Sequence, residues 1–136
     1  MGGVRYEEVE HTADWALRVR GATMGELCQV AASAMLAACG ARSSDGPSSE
    51  RSVRLEAADR ETLLVQWLEE VLFALEGRSR IPVRIEVEVS PPLSLSATWE
   101  EVPLAGIEKP IKAVTFHELV VREDTEGLET TIVFDV

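Results

Sequence analysis

The residues best suited to chemistry in this sequence are two histidines, a lysine and two isolated aspartates. The stretch EHTADW places His11 three residues before Asp14, in a chain that has only two histidines. The second histidine, His117, follows Lys112 within one largely apolar stretch, and Asp135 interrupts the apolar ending IVFDV. Such polar residues either satisfy local backbone groups or contribute to a binding site.

The two aspartates are candidate ligands for a hard cation, which prefers oxygen donors and accepts several carboxylates close together. Asp14 directly precedes a predicted strand, where an aspartate also commonly accepts backbone N–H bonds in a turn. Asp135 lies one residue from the terminal carboxylate of Val136, and this concentration of negative charge attracts a cation: a metal, Lys112 or an arginine. A solvated chain end is the alternative for Asp135.

The spacing of Lys112 and His117 argues against one shared site in a regular strand. Residues five apart point to opposite faces of a strand, so Lys112 is expected to share its face with Val114 and Phe116. A lysine in that position could neutralise nearby carboxylates. The alternative for His117 is a hydrogen-bonded packing residue without a chemical role.

Two helices are predicted to position these residues. Thr23 followed by Glu26 forms a capping box, and Gly40 supplies a stop, so the first helix is expected over about 24–39. The second begins after Asp59, shows apolar residues at three- and four-residue spacing, and is expected to stop at Gly77.

Most of the remaining sequence alternates between apolar and polar residues, which predicts strands, and residues typical of turns separate these stretches. The loop 41–50, rich in serine, glycine and proline, is too short to separate domains. About seven strands are expected, over 4–9, 15–20, 51–57, 81–90, 93–101, 111–123 and 130–136, and Pro82 indicates an edge position. The predicted fold is a single α+β domain over 1–136, a two-layer sandwich with two helices packed on a mixed, mostly antiparallel sheet.

Charge and cysteine usage restrict the function further. The 136 residues carry a formal net charge of -11, which disfavours binding to a nucleic-acid backbone, because such binding depends on cationic side chains. Cys28 and Cys39 are predicted to lie roughly 16 Å apart in one helix, beyond disulfide reach, as buried packing residues. We see no signal peptide or membrane span and expect a cytoplasmic protein.

Several common catalytic signatures are missing: the glycine-rich phosphate loop, the nucleophile elbow and the paired-cysteine zinc motif. Four other segments, EHTAD, LLVQWLEEVLF, IKAVTFH and VFDV, occur in an order and at distances that resemble the archease family. The resemblance extends from Tyr6 to Val136.

The resemblance implies an accessory protein and not an enzyme. Archeases assist RNA ligases of the RtcB type, which join tRNA halves after intron removal. They promote the metal-dependent transfer of GMP from GTP onto the ligase's active-site histidine and support multiple turnover. The expected partner is therefore a ligase protein, and GTP is expected to be encountered only in the ligase complex. Neither broad nucleic-acid binding nor membrane binding is expected.

The resemblance also assigns roles to individual residues. Metal-site aspartates of the family match Asp14 and Asp135, the metal set is expected to include Val136, and an important lysine matches Lys112. The expected cofactor is a divalent cation: calcium, magnesium, manganese or zinc. Three further residues of the same motifs are candidates for supporting the metal ligands without touching the ion: His11, His117 and Glu70.

Two other functions fit the same sequence. The first is a metal-binding chaperone or modulator of DNA- and RNA-processing proteins, which would hold its clients through an exposed apolar patch. The second is a stand-alone metal-dependent phosphohydrolase, for which the sequence offers few candidate ligands.

Overall fold

The computed structural model describes residues 6–10 and 15–136, with all side chains in these ranges except those of Val9 and Glu10. The described residues form nine strands and two helices. In chain order these are β1 (Tyr6–Glu10), β2 (Trp15–Gly21), α1 (Met24–Ala38), β3 (Arg42–Ser43), β4 (Ser49–Glu56), α2 (Arg60–Gly77), β5 (Arg80–Ser90), β6 (Ser94–Gly106), β7 (Ala113–Val114), β8 (Arg122–Asp124) and β9 (Gly127–Asp135).

The strands form two antiparallel sheets. The first has the order β1-β2-β9-β7, with β8 also paired to β9, and in the second β6 pairs with β3, β4 and β5. Helix α1 packs against β2 and β5, so it contacts both sheets, and α2 packs against α1, β4, β5 and β7. The α+β prediction of two helices on an antiparallel sheet arrangement is confirmed, although two sheets replace the one mixed sheet.

Both helices begin at the predicted N-caps. The Thr23 hydroxyl accepts a hydrogen bond from the backbone of Glu26 at 3.1 Å, while the Glu26 carboxylate accepts one from Ala22, which completes a capping box. The Asp59 carboxylate accepts from the Thr62 backbone at 2.7 Å. These side chains pair N–H groups that the first helical turn leaves without partners.

Both helices also end close to the residues that the sequence predicted. Gly40 adopts a φ of 70° just beyond α1, in the left-handed region that glycine tolerates. The prediction that α2 stops at Gly77 is confirmed, because Gly77 is its last residue, and the left-handed residue beyond it is Ser79, with a φ of 56°. A Cβ at position 77 would overlap the Phe73 ring, so that exposed ring would have to shift to admit a side chain.

The core between the two helices and the second sheet is built around two tryptophans. Trp67 on α2 and Trp99 on β6 are buried, with ring centroids 5.6 Å apart. The Trp67 indole donates a hydrogen bond to the Cys28 carbonyl at 2.7 Å, so α1 and α2 are joined by a polar contact as well as by packing. Truncating a buried tryptophan typically costs about 3–5 kcal/mol.

The predicted alternation of β2 is confirmed. Trp15, Leu17 and Val19 are buried, and Trp15 and Leu17 pair across the ladder with Phe134 and Ile132 of β9. The rings of Trp15 and Phe134 lie 5.5 Å apart. This ladder fixes the end of β9, where Asp135 lies, relative to the start of β2.

The two cysteines are free and buried, as predicted. Burial raises the pKa of the Cys28 thiol to about 12 and also raises the pKa of Cys39. Thiolates are the reactive form, so we expect the native protein at pH 8 to resist a thiol-labelling reagent, whereas two thiols react in denaturant. Rapid labelling of the native protein, followed by mass spectrometry, would contradict this.

Of the two described helices, neither combines the length and the uninterrupted apolar sequence that a bilayer span requires.

Candidate functional site

The structure brings Lys112 and Asp135 together at one end of the first sheet. The Lys112 backbone N–H donates to the Asp135 carbonyl at 2.7 Å, and the next residue, Ala113, is the ladder partner of Asp135. Both Lys112 and Asp135 are exposed. An ammonium group and a carboxylate are thus carried on directly paired backbone segments, 23 residues apart in the sequence.

The segment 111–123 is not the single regular strand that the sequence predicted. It forms the two-residue strand β7, a turn at His117 and Glu118, and then β8. The strand periodicity used to place Lys112 and His117 on opposite faces therefore does not apply. The expectation that Lys112 shares a face with Val114 is wrong as well, because Val114 is buried and Lys112 is exposed.

A threonine anchors the start of this turn. The Thr115 backbone N–H and hydroxyl both donate to the Val133 carbonyl, at 3.0 and 2.9 Å, and the hydroxyl accepts from the His117 backbone at 3.2 Å. His117 is exposed, and its Nε2 lies 3.9 Å from the Glu118 carboxylate. The turn holds His117 on the surface, so the predicted alternative of a packing histidine does not describe it.

Two of the predicted site residues, His11 and Asp14, lie outside the described residues. The described ladder pairs Trp15 with Phe134. Because Asp14 is bonded to Trp15 and Asp135 is bonded to Phe134, the two predicted metal ligands are the sequence neighbours of one cross-strand pair.

The remaining predicted residues are placed as follows. Val136 is 42% exposed directly after β9, beside Asp135. Glu70 is partly buried on α2. No hydrogen bond or ion pair within the described part of the chain joins Glu70 to Lys112 or Asp135.

Sequence reasoning missed a polar cluster next to this site. The Glu8 carboxylate accepts hydrogen bonds from the Trp15 indole and from the Lys109 ammonium, the latter at 3.3 Å. The Lys109 ammonium also lies 4.8 Å from the centroid of the Trp15 ring. The Trp15 hydrogen bond first, and Lys109 second, lower the pKa of Glu8 below its usual value. No local signal could have predicted a contact between residues 101 positions apart.

A second missed cluster surrounds Glu101, which is 4% exposed on β6. Its carboxylate accepts from Arg78 at 2.5 and 3.4 Å and from the Trp99 indole at 3.0 Å. Arg51 lies 4.0 Å away. The Arg78 guanidinium also lies over the Phe73 ring, 5.2 Å from its centroid. This cluster ties the end of α2 to the second sheet, so we assign it a role in stabilising the fold.

The chemistry of the donors at the end of β9 fits a divalent cation. An exposed carboxylate at a strand end, on a chain of high negative charge, is an oxygen donor of the type that hard cations prefer. Within the described residues, no three His, Cys, Asp or Glu side chains are grouped closely enough to hold a metal ion. Asp14, which lies outside the described residues, is the further side-chain ligand that the sequence predicts.

The comparisons with known proteins agree with this fold. Residues 6–136 match the model of the Archease protein family. The chain is 31% identical over 144 residues to the protein archease of Methanosarcina mazei, covering 98% of this chain and 97% of the relative. It is 29% identical over 139 residues to the protein archease of Archaeoglobus fulgidus, covering 98% and 100%.

Solved structures give the same result. The crystal structure of a Thermotoga maritima protein, described as an archease and possible chaperone, matches with a TM-score of 0.70 and 26% identity over the full length of both chains. A solution structure from Methanobacterium thermoautotrophicum, 24% identical, shares the fold with a TM-score of 0.72, over 97% of this chain and 99% of that one.

The fold defines a class of small α+β proteins in which two helices pack on antiparallel sheets. With a family match over nearly the whole chain, the protein belongs to the archease family.

Proposed function

We propose that this protein is a non-catalytic activator of an RtcB-type RNA ligase, which promotes guanylylation of the ligase and its multiple turnover in tRNA splicing. The observation that carries the proposal is the pairing of Lys112 with Asp135 at the end of β9 in a member of the archease family. The proposed partner is the ligase protein, with GTP encountered only in the complex.

The charges of the site suit a role beside a nucleotide. Asp135, with Asp14 as its expected counterpart, offers oxygen donors for a divalent cation, which would screen phosphate charge when bound. Lys112 carries a compact positive charge on a flexible stem and is exposed, so its ammonium could reach a phosphate oxygen of a nucleotide held by the ligase.

The overall charge supports a protein partner over direct RNA binding. With 24 acidic residues against 13 basic ones, the surface is complementary to a basic cleft of the kind that holds RNA. Complementary charge raises association rates and favours correct orientation. The negative surface would repel RNA itself, so the ligase and not the activator is expected to hold the RNA ends.

The proposal is tested by adding the purified protein to its cognate ligase with GTP labelled on the α-phosphate and with manganese. We expect more labelled ligase per minute and more than one ligation per ligase molecule. If label incorporation and turnover number stay at the values of the ligase alone across a range of activator concentrations, the proposal is wrong.

Lys112→Ala should leave folding nearly intact and weaken this activation. The side chain is exposed, so its contribution to the free energy of unfolding is expected to be under about 1 kcal/mol, while a charge beside phosphates has a large effect on transfer. Melting temperatures of wild type, Lys112→Ala and Lys112→Arg measure the effect on stability, and their guanylylation rates measure the effect on activation. A Lys112→Ala variant that unfolds readily yet activates normally per folded molecule would make Lys112 a structural residue.

A metal-binding chaperone or modulator is the second candidate function. It is favoured by the possible-chaperone description of the Thermotoga maritima relative and by the exposed apolar side chains Phe73, Phe116 and Val120, each at least half exposed. Suppression of aggregation of unrelated unfolded proteins, without an effect on the ligase, would favour this function over the first.

A further inference from the structure

A three-residue contact joins the segment that carries Lys112 to the start of the first sheet. Lys109 lies three residues before Lys112, and its ammonium contacts both the Glu8 carboxylate, at 3.3 Å, and the Trp15 ring, at 4.8 Å from the centroid. The Trp15 indole donates to the same carboxylate. We call this contact of Lys109, Glu8 and Trp15 the Lys109 clamp.

The loop 107–112 is also held at points away from the clamp. The backbone N–H groups of Glu108 and Lys109 donate to the Cys39 carbonyl at 3.0 and 2.9 Å, which ties the loop to the end of α1. Ile111 is 2% exposed in the core. Within the described residues, the Lys109 side chain is the part of this loop that bonds to the β1–β2 hairpin.

The clamp joins the chain segments that lead into the candidate site. Trp15 follows Asp14 in the sequence and pairs with Phe134, which precedes Asp135. Lys109 leads through Pro110 and Ile111 to Lys112. One cation therefore links the segment next to the first aspartate with the segment that carries the lysine.

We propose that Lys109 is a positioning residue for the candidate site, which holds Lys112 beside Asp135 by clamping the 107–112 loop onto Glu8 and Trp15. This inference rests on the proposed function for its consequence in ligase activation, while its structural part stands independently. Its role differs from that of Lys112, because its ammonium contacts Glu8 and the Trp15 ring within the protein.

The clamp is suited to local positioning and contributes little to global stability. The side chains of Lys109 and Glu8 are about half exposed, at 51% and 54%. Exposed ion pairs and cation–π contacts each contribute little, so the melting temperature of a variant should change by a few degrees at most. A contact of this strength changes how often the loop detaches from the sheet.

The first test measures detachment of the loop without any ligase or metal. The Lys112 amide donates to the Asp135 carbonyl, so its hydrogen-exchange rate reports opening at this position. We expect Lys109→Met to accelerate exchange of the Lys112 amide by roughly three-fold or more. Lys109→Arg keeps the charge and the contact with the ring, and it should restore an exchange rate near that of wild type.

Two controls separate positioning from a general effect of charge. The Thr115 amide, which donates to Val133 at 3.0 Å, should exchange at an unchanged rate in Lys109→Met. Arg54→Met removes one exposed positive charge from β4 and should leave the Lys112 amide unaffected. Unchanged exchange at Lys112 in Lys109→Met, or equal acceleration in the Arg54 control, would overturn the inference.

The second test uses the complex with the cognate ligase, manganese and GTP. Lys109→Met should lower the maximal guanylylation rate several-fold with little change in the activator concentration that gives half-maximal effect, and Lys109→Arg should rescue it. If Lys109→Met activates the ligase fully although its Lys112 amide exchanges faster, the positioning of Lys112 by Lys109 does not matter for ligase activation. If wild type itself fails to activate the ligase while the exchange results hold, the proposed function fails and the positioning of Lys112 by Lys109 stands.

Discussion

Asp135→Asn should reduce divalent-metal affinity and ligase guanylylation together, while the metal-free protein keeps its stability. The amide has the shape of the carboxylate, and the Asp135 backbone carbonyl that accepts from Lys112 is untouched. Losing one formal charge from the oxygen donors should weaken manganese binding by roughly ten-fold or more. The metal-free protein is expected to melt at the same temperature or slightly higher, because carboxylates crowded without a cation repel one another.

The measurement is the melting temperature with and without manganese, beside single-turnover guanylylation. A cation that binds only the folded state stabilises it by an amount that grows with the logarithm of its concentration relative to the dissociation constant, so the weaker-binding variant should lose most of the metal-induced shift. Asp45→Asn is the matched control, because Asp45 is an exposed aspartate in the loop before β4 and loses the same charge. A variant with full activity and an unchanged metal-induced shift would remove Asp135 from the site.

Glu101→Ala is expected to destabilise the fold by several kcal/mol. It removes the carboxylate that pairs Arg78 and the Trp99 indole, in a cluster where the Arg78 Nη1 atom is already buried without a partner. Removing one member of a buried ion pair costs about 3–5 kcal/mol, because the remaining charge stays buried. The Arg78 side chain is 21% exposed, so we expect a loss at the lower end of that range. Urea denaturation of wild type and variant measures this difference in the free energy of unfolding.

A neighbouring residue supplies the control. Glu100 pairs with Arg84 at 2.7 Å on the exposed face of the same strand, and Glu100→Ala should cost under about 1 kcal/mol. Equal losses for the Glu100 and Glu101 variants would show that burial of the Glu101 pair does not matter. Glu101→Gln keeps an acceptor for Trp99 and should fall between wild type and Glu101→Ala.

The pH dependence of this difference follows from the pKa of Glu101. Burial raises that pKa, but the hydrogen bonds from Arg78 and Trp99 and the charges of Arg78 and Arg51 outweigh it and hold the pKa below its usual value. A carboxyl with a lowered pKa stabilises the folded state above its unfolded pKa of about 4.3 and loses that contribution as pH falls through the folded value. The stability gap between wild type and Glu101→Gln should therefore be constant near neutral pH and shrink below about pH 4.3.

The local features of this protein were readable in its sequence. Thr23, Glu26 and Asp59 open the helices as predicted, because a cap is made within one turn of the chain and needs no distant partner. The alternation of Trp15, Leu17 and Val19 correctly predicted a half-buried strand, because side chains point to opposite faces with a period of two. Family motifs spread along the chain identified the archease family, and the metal-ligand roles of Asp14 and Asp135 stay predictions.

The tertiary structure alone decided where the chemistry-bearing residues meet. The stretch 111–123 alternates like a strand, but the chain turns at His117, whose backbone N–H donates to the Thr115 hydroxyl. Lys112 and His117 therefore both lie on the surface, and strand faces do not relate them. The pairing of Lys112 with Asp135, and of Lys109 with Glu8 and Trp15, depends on strand order and register. Those are set by packing between segments far apart in the chain, which no local pattern of residues encodes.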